Sequence, residues 1–169
     1  MPKRTSTKDQ KRLKERYGKL AESMEPYYDH LNLLPLAEMD DAAFAFIMKN
    51  VKGVNMLDLN ETAIGNDSIR LLTQLEYVYE LRAKGCPINN DCVENLQKLR
   101  FLRVLHVKST RITIDGLLRL KDMPELRELM FSDDADDLEE KMQQLRQQLP
   151  GCSFTINSIP WQFGAGHDN

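Results

Sequence analysis

Apolar residues recur in this chain at an interval of 24 residues, and that interval limits what it can fold into. Leu57, Leu81, Leu105 and Leu129 keep the spacing, as do Val54, Val78, Leu102 and Leu126. So do Ile64, Ile88 and Ile112, then Ile69, Val93 and Leu117, then Leu72, Leu96 and Leu120. A period of roughly 20–50 residues marks supersecondary units stacked on one another rather than a single closed core.

Each unit opens on Val54-x-x-Leu57-x-Leu59 or a counterpart: Val78-x-x-Leu81-x-Ala83, Leu102-x-x-Leu105-x-Val107, Leu126-x-x-Leu129-x-Phe131. Apolar alternation over so short a run is strand-like. Thr62, Cys86, Thr110 and Asp134 follow three residues later, where the chain must turn away and leave carbonyls unpaired. A buried hydroxyl or thiol can donate to such a carbonyl. Ionised Asp134 cannot, so this ladder should end at the third full unit. Ile64, Ile88 and Ile112 then face the core. Asp67, Asp91 and Asp115, in the same register, are expected to accept from free amides where a helix starts. Ile69/Leu72/Leu75, Val93/Leu96/Leu99 and Leu117/Leu120/Met123 recur at i, i+3 and i+6. Each unit should therefore be strand, turn and short helix. One unit cannot bury its apolar edge alone. Stacking makes one long core, to which each fully buried leucine contributes roughly 1.5–3 kcal/mol.

The ends are irregular. Residues 1–35 are expected to be a basic helical arm and linker, 36–158 the repeat domain with caps, and 159–169 an aromatic and glycine-containing tail. Residues 1–20 carry eight Lys/Arg and two acids, while the whole chain has a net charge of −3, so the arm is basic on an acidic body. Thr7 and Gln10 have capping-box spacing, and Leu13, Tyr17, Leu20 and Met24 form one helical stripe with Lys11, Arg12 and Arg16 around it. Three uses fit such an arm: docking on the body or a partner, organelle targeting, or nucleic-acid binding. Asp9, Glu15 and Glu22 are atypical of a targeting sequence, and a lone aromatic on an acidic protein is a poor nucleic-acid signal. Residues 27–35 are expected to be a linker. Asp40 or Asp41 can cap a helix burying Phe44, Ile47, Met48 and Val51, an atypical first unit. After the acidic run Asp133–Glu140, a solvated loop and helix start, come a last helix with Leu138, Met142, Leu145 and Leu149 and a closing strand at 152–156. Trp161 and Phe163 either cover the end of the core or form a docking motif.

Hydrophobic residues make up 41% of the chain and charged residues 29%, enough apolar surface for a continuous core in one domain. No apolar run approaches the roughly 18 residues of a membrane span, and the N-terminus lacks the apolar segment of a secretory signal. Cys86, Cys92 and Cys152 are odd in number and lack framework spacing, which points to a reducing intracellular compartment. There is no phosphate-binding glycine loop, no H-E-x-x-H and no paired CxxC. His30, His106 and His167 fall in unrelated contexts. No catalytic residue, cofactor or metal ligand is expected.

These residues together resemble a leucine-rich-repeat protein with short repeats, over about residues 45–156. That resemblance implies an α/β leucine-rich-repeat solenoid: a parallel sheet of about five strands, with short helices on the convex side. It also accounts for Thr or Cys at the turns. Gly85-Cys86-Pro87-Ile88-Asn89-Asn90-Asp91-Cys92-Val93-Glu94-Asn95-Leu96 and Thr110-x-Ile112-x-x-Asp115-Gly116-Leu117 are further similar to the small mitochondrial repeat proteins around ATP synthase coupling factor B (subunit s). So is the acidic loop followed by a helix and Leu149-Pro150-Gly151-Cys152. This narrower resemblance implies a matrix-side subunit or assembly factor of a membrane-associated respiratory complex. The chain departs from that group in its arm, which is not a typical transit peptide, and in Thr at two turns where the group often has Cys.

Residues flanking the inward leucines should point outward. Asp58, Arg82, Lys84, His106, Lys108 and Met130 are the candidate partner-binding residues. Lys11, Arg12, Arg16, Trp161 and Phe163 are candidates for a second contact. Arg82, Lys84, His106 and Lys108 form a basic cluster that would favour a protein partner acidic where it meets the sheet. The expectation is a non-catalytic interaction, structural or assembly subunit. An anionic-surface or nucleic-acid binder acting through the arm is the reading from another class.

Overall fold

The computed structural model describes residues 6–36 and 38–163. It is an α/β structure with a seven-stranded, mostly parallel sheet. Helix α1 (Thr7–Glu22) precedes strand β1 (Tyr27–Asn32). Then strands and helices alternate: α2 (Asp41–Ile47), β2 (Gly53–Asp58), α3 (Asn66–Leu72), β3 (Tyr77–Arg82), α4 (Val93–Gln97), β4 (Val104–His106), α5 (Ile114–Leu117), β5 (Glu128–Phe131), α6 (Leu138–Gln148) and β6 (Ser153–Ile156). A short strand β7 (Ile159–Pro160) ends the sheet. The strands lie in chain order, and only β6 and β7 are antiparallel. Parallel neighbours need a crossover, and each crossover here contains a helix.

The register follows the sequence period. Leu57 pairs with Leu81, Leu81 with Leu105 and Leu105 with Leu129. All four are buried, with Ile64, Ile88 and Ile112 behind them. Strand and helix residues form one apolar cluster running from Leu13 to Ile156.

Several expectations need correction. Residues 27–32 are not a linker but β1, parallel to β2, so the domain boundary at 35 cuts through the sheet. Tyr28 pairs with Val54 and Leu31 with Leu57, offsets of 26 residues rather than 24, which hid the strand from the periodicity. Strand β7 is likewise additional, so the sheet exceeds the expected five strands. It arises because Asn157 and Ser158 both have positive φ (51° and 71°), the backbone of a two-residue hairpin between Ile156 and Ile159. The box that starts α1 is Ser6 with Asp9, one residue before the expected Thr7 and Gln10. The six glycine-containing tail residues, 164–169, lie outside the described residues, as do 1–5 and 37.

Asp67, Asp91 and Asp115 do not accept from helix-start amides. Asp67 pairs with Arg70 at 3.0 Å, and Asp115 with Lys141 at 2.8 Å. The acceptors come instead from the neighbouring unit and, for the Asp91 amide, from Asn89 at 2.9 Å. Asp41 accepts from the Gly65 and Ser68 amides at 2.8 and 3.1 Å. Asn66 accepts from the Asn89 amide at 3.1 Å, Asn90 from the Thr113 amide at 2.9 Å, and Asp133 from the Ile114 amide at 2.6 Å. Each donor would otherwise be an orphan at a helix start. A second feature repeats at the turns: Glu61, Gly85 and Ser109 have φ of 56°, 71° and 56°, three left-handed residues in register.

Candidate functional site

The outer residues of adjacent strands form a row. Asp58 pairs in register with Arg82, Arg82 with His106, and His106 with Met130. The parallel sheet thus brings together residues spread over 73 positions of the chain (58 to 130). Lys84 and Lys108 lie in the turns, two residues past the ends of β3 and β4.

The charges are partly matched. Arg82 Nε lies 2.5 Å from Glu80, and Lys84 Nζ lies 3.1 Å from Glu61. Half-exposed pairs of this kind contribute little to stability, about 0–1 kcal/mol, yet they offset the positive field. Asp58 is buried and accepts from the Asn60 amide at 3.0 Å, so it holds the turn as well as the row. Burial, with the positive charges of Arg82, Lys108 and Lys84 behind it, lowers the His106 pKa from its ordinary value. Lys108 donates to the Ser158 hydroxyl and is in no ion pair among the described residues. The face is therefore mixed in charge, with Lys108 its unmatched cation.

The second-contact candidates do not join this row. In α1, Leu13 and Tyr17 are buried against α2. Arg16 reaches Glu38 at 2.7 Å, Lys11 approaches Glu15 at 3.9 Å, and Arg12 is exposed. Trp161 and Phe163 sit at the other end of the sheet, half-buried. Phe163 meets Phe154 edge-on with centroids 5.9 Å apart, and Arg146 covers the Phe163 ring at 4.5 Å. The rings pack on the core rather than standing free of it.

Of the turn residues, Thr62 and Thr110 donate to the carbonyls of Leu59 and Val107, both at 2.7 Å. Cys86 crosses to the neighbouring unit and donates to Leu59 at 3.0 Å. Asp134 is exposed. Burial pushes the Cys92 and Cys152 thiols up to about 12 and shifts Cys86 the same way, so none offers a thiolate at pH 7. Among the described residues, no three His, Cys, Asp or Glu side chains are grouped to hold a metal, and no helix is long and apolar enough to cross a membrane.

One group was missed from sequence. Tyr27 and Tyr77 stack across Gly53, centroids 6.3 Å apart and planes 8° from parallel. Tyr77 stacks on Tyr79 at 4.8 Å, Phe101 meets Tyr79 edge-on at 6.5 Å, and Arg103 covers the Tyr79 ring at 4.7 Å. A Cβ at position 53 would lie 2.5 Å from the Tyr77 ring, so glycine makes room for the stack. The signal was present: Tyr77 and Phe101 are 24 residues apart, as are Tyr79 and Arg103.

No protein-family model matches the chain, and a search of curated proteins finds no match.

Proposed function

We propose that the chain is a leucine-rich-repeat solenoid serving as a non-catalytic protein-interaction subunit of a larger complex, with the outer face of β2–β5 as its contact surface. The observation that carries this reading is the in-register row Asp58–Arg82–His106–Met130. Polar and charged side chains with an apolar terminus, held on a rigid sheet, suit recognition of a protein surface. The concave side of a solenoid is its usual binding surface. Lys108 is where a partner's carboxylate finds an unmatched charge. Such a charge acts mainly on encounter rate and register.

The test is co-purification of the tagged chain from its native source at moderate salt. A protein partner should be recovered at constant stoichiometry. Arg82→Glu combined with Lys108→Glu should lower its recovery at least about tenfold, the loss expected when charges in a contact are reversed. Recovery that ignores both changes refutes the sheet face as the contact surface.

A further inference from the structure

The rim where the connections return to the strands carries two open slots. One, of about 300 Å³, is lined by Met48, Val51, Leu72 and Leu75 together with Lys49. Another, of about 130 Å³, is lined by Leu75, Tyr77, Leu99 and Phe101 together with Glu76, Lys98 and Arg100. Leu75 belongs to both, so the slots adjoin. Val51 and Leu75 are 24 residues apart, as are Leu75 and Leu99, so each slot includes this position from two consecutive units. Tyr27 and Phe101 stand on this rim, 48% and 52% exposed.

Cations surround the slots. Lys49, Lys52, Lys98, Arg100 and Arg103 are exposed, and none is in an ion pair among the described residues. The acid in the slot lining, Glu76, accepts from the Tyr27 hydroxyl at 3.1 Å. Aromatic rings among cations can serve single-stranded nucleic acid, which needs free ring faces for its bases. Here the two central rings have no free face. Tyr77 lies between Tyr27 and Tyr79, and Arg103 covers Tyr79. What the rim offers is two exposed rings, cations and slots that can take side chains.

We propose that this rim docks an acidic segment of a protein partner. Bulky apolar side chains of that segment enter the two slots, and its carboxylates meet Lys49, Lys98, Arg100 and Arg103. The proposal rests on the reading of the chain as an interaction module, but it uses a surface distinct from the outer-face row.

A random-peptide display selection on the full chain tests it, followed by anisotropy with the selected peptides. Selected peptides should combine Asp or Glu with Leu, Phe or Trp. Phe101→Ala and Arg100→Glu should each weaken their binding at least about tenfold. Both positions are exposed, so unchanged far-UV circular dichroism checks the fold. Lys108→Glu, on the outer face, should leave binding within about twofold, as expected for a charge outside the contact. Peptides without acids, peptides indifferent to the rim changes, or no enrichment would overturn the rim. Loss through Lys108→Glu instead would overturn it while leaving the interaction-module reading intact. Labelled oligothymidylate that binds and is lost with Arg100→Glu would replace the peptide with nucleic acid. A dimer in light scattering that Phe101→Ala dissolves would replace it with a second copy.

Discussion

At the β1 end of the sheet the core is covered by a helix; at the β7 end it is covered by a hairpin and two rings. Helix α1 buries Leu13 and Tyr17 and packs on α2, and Met24 is buried just past its end. It covers the helical layer, while among the described residues no strand pairs with the outer edge of β1. At the far end α6 continues the helical layer with Met142 and Leu145 buried. There the strand layer is stopped as well: β7 is two residues long, and Pro160 has no amide to offer a further strand. A stack must be stopped in both layers, because an uncovered unit leaves apolar surface in one and unpaired backbone in the other. The C-terminal end does both, and the N-terminal end does one. The open β1 edge adjoins the rim that carries Tyr27, so the less finished end is also the one with a surface to offer.

Deleting residues through Met24 is the strongest way to break this comparison. If α1 is a cap, the truncated chain should lose at least about 4 kcal/mol in urea unfolding, since several buried side chains go together. A truncated chain with unchanged stability would show that the helical layer needs no cover at this end. At the other end, Trp161→Ala should cost about 1–3 kcal/mol, less than a full core cavity because the ring is half-buried. Trp161→Phe should be neutral or stabilising, because the buried Trp161 indole N–H has no acceptor among the described residues. Equal losses for the two substitutions would mean the ring's size is not what closes the core.

Gly53→Ala should cost about 1–2 kcal/mol, the added methyl displacing the Tyr77 ring. Near-ultraviolet circular dichroism should report the disturbed tyrosine stack; an unchanged spectrum would dissociate Gly53 from it. Ser109→Gly should stabilise by about 0.5–1 kcal/mol, since the left-handed conformation that Gly85 adopts freely costs serine. Loss of stability there would show that the serine earns its place by some contact. The smallest effect concerns pH. The pKa of His106 is held below 6.5 in the fold, so the unfolded chain binds more protons in the window just below that value. Stability should therefore be complete above pH 6.5 and fall as pH drops through the folded pKa. His106→Gln should flatten urea midpoints across that window; an unchanged slope would assign the acid sensitivity elsewhere.

The interior of the fold was legible because a strict period carries its own pairing. Leu57, Leu81 and Leu105 are spaced by 24 residues, and the same residues face one another in the sheet. β1 was illegible because two extra residues precede β2, and β7 because Asn157-Ser158 carries no glycine to announce its positive φ. The aspartates were misread for a different reason. Spacing shows that Asp67, Asp91 and Asp115 are equivalent, not which neighbour each meets. Asn66 and Asn90, also in register, are the residues that reach across units. Of the candidate site, the outer row could be drawn from strand alternation alone. Its partial neutralisation by Glu80 and Glu61 could not, because side-chain geometry settles which charges touch.

By itself, the sequence determined the unit, its length and its buried face, since those follow from local alternation and a repeated interval. How the stack is ended, which side chains cross from unit to unit, and where rings and cations gather on one rim were decided only in the assembled sheet. Those features depend on contacts between residues far apart in the chain, and no interval along the chain specifies them unless the register is unbroken.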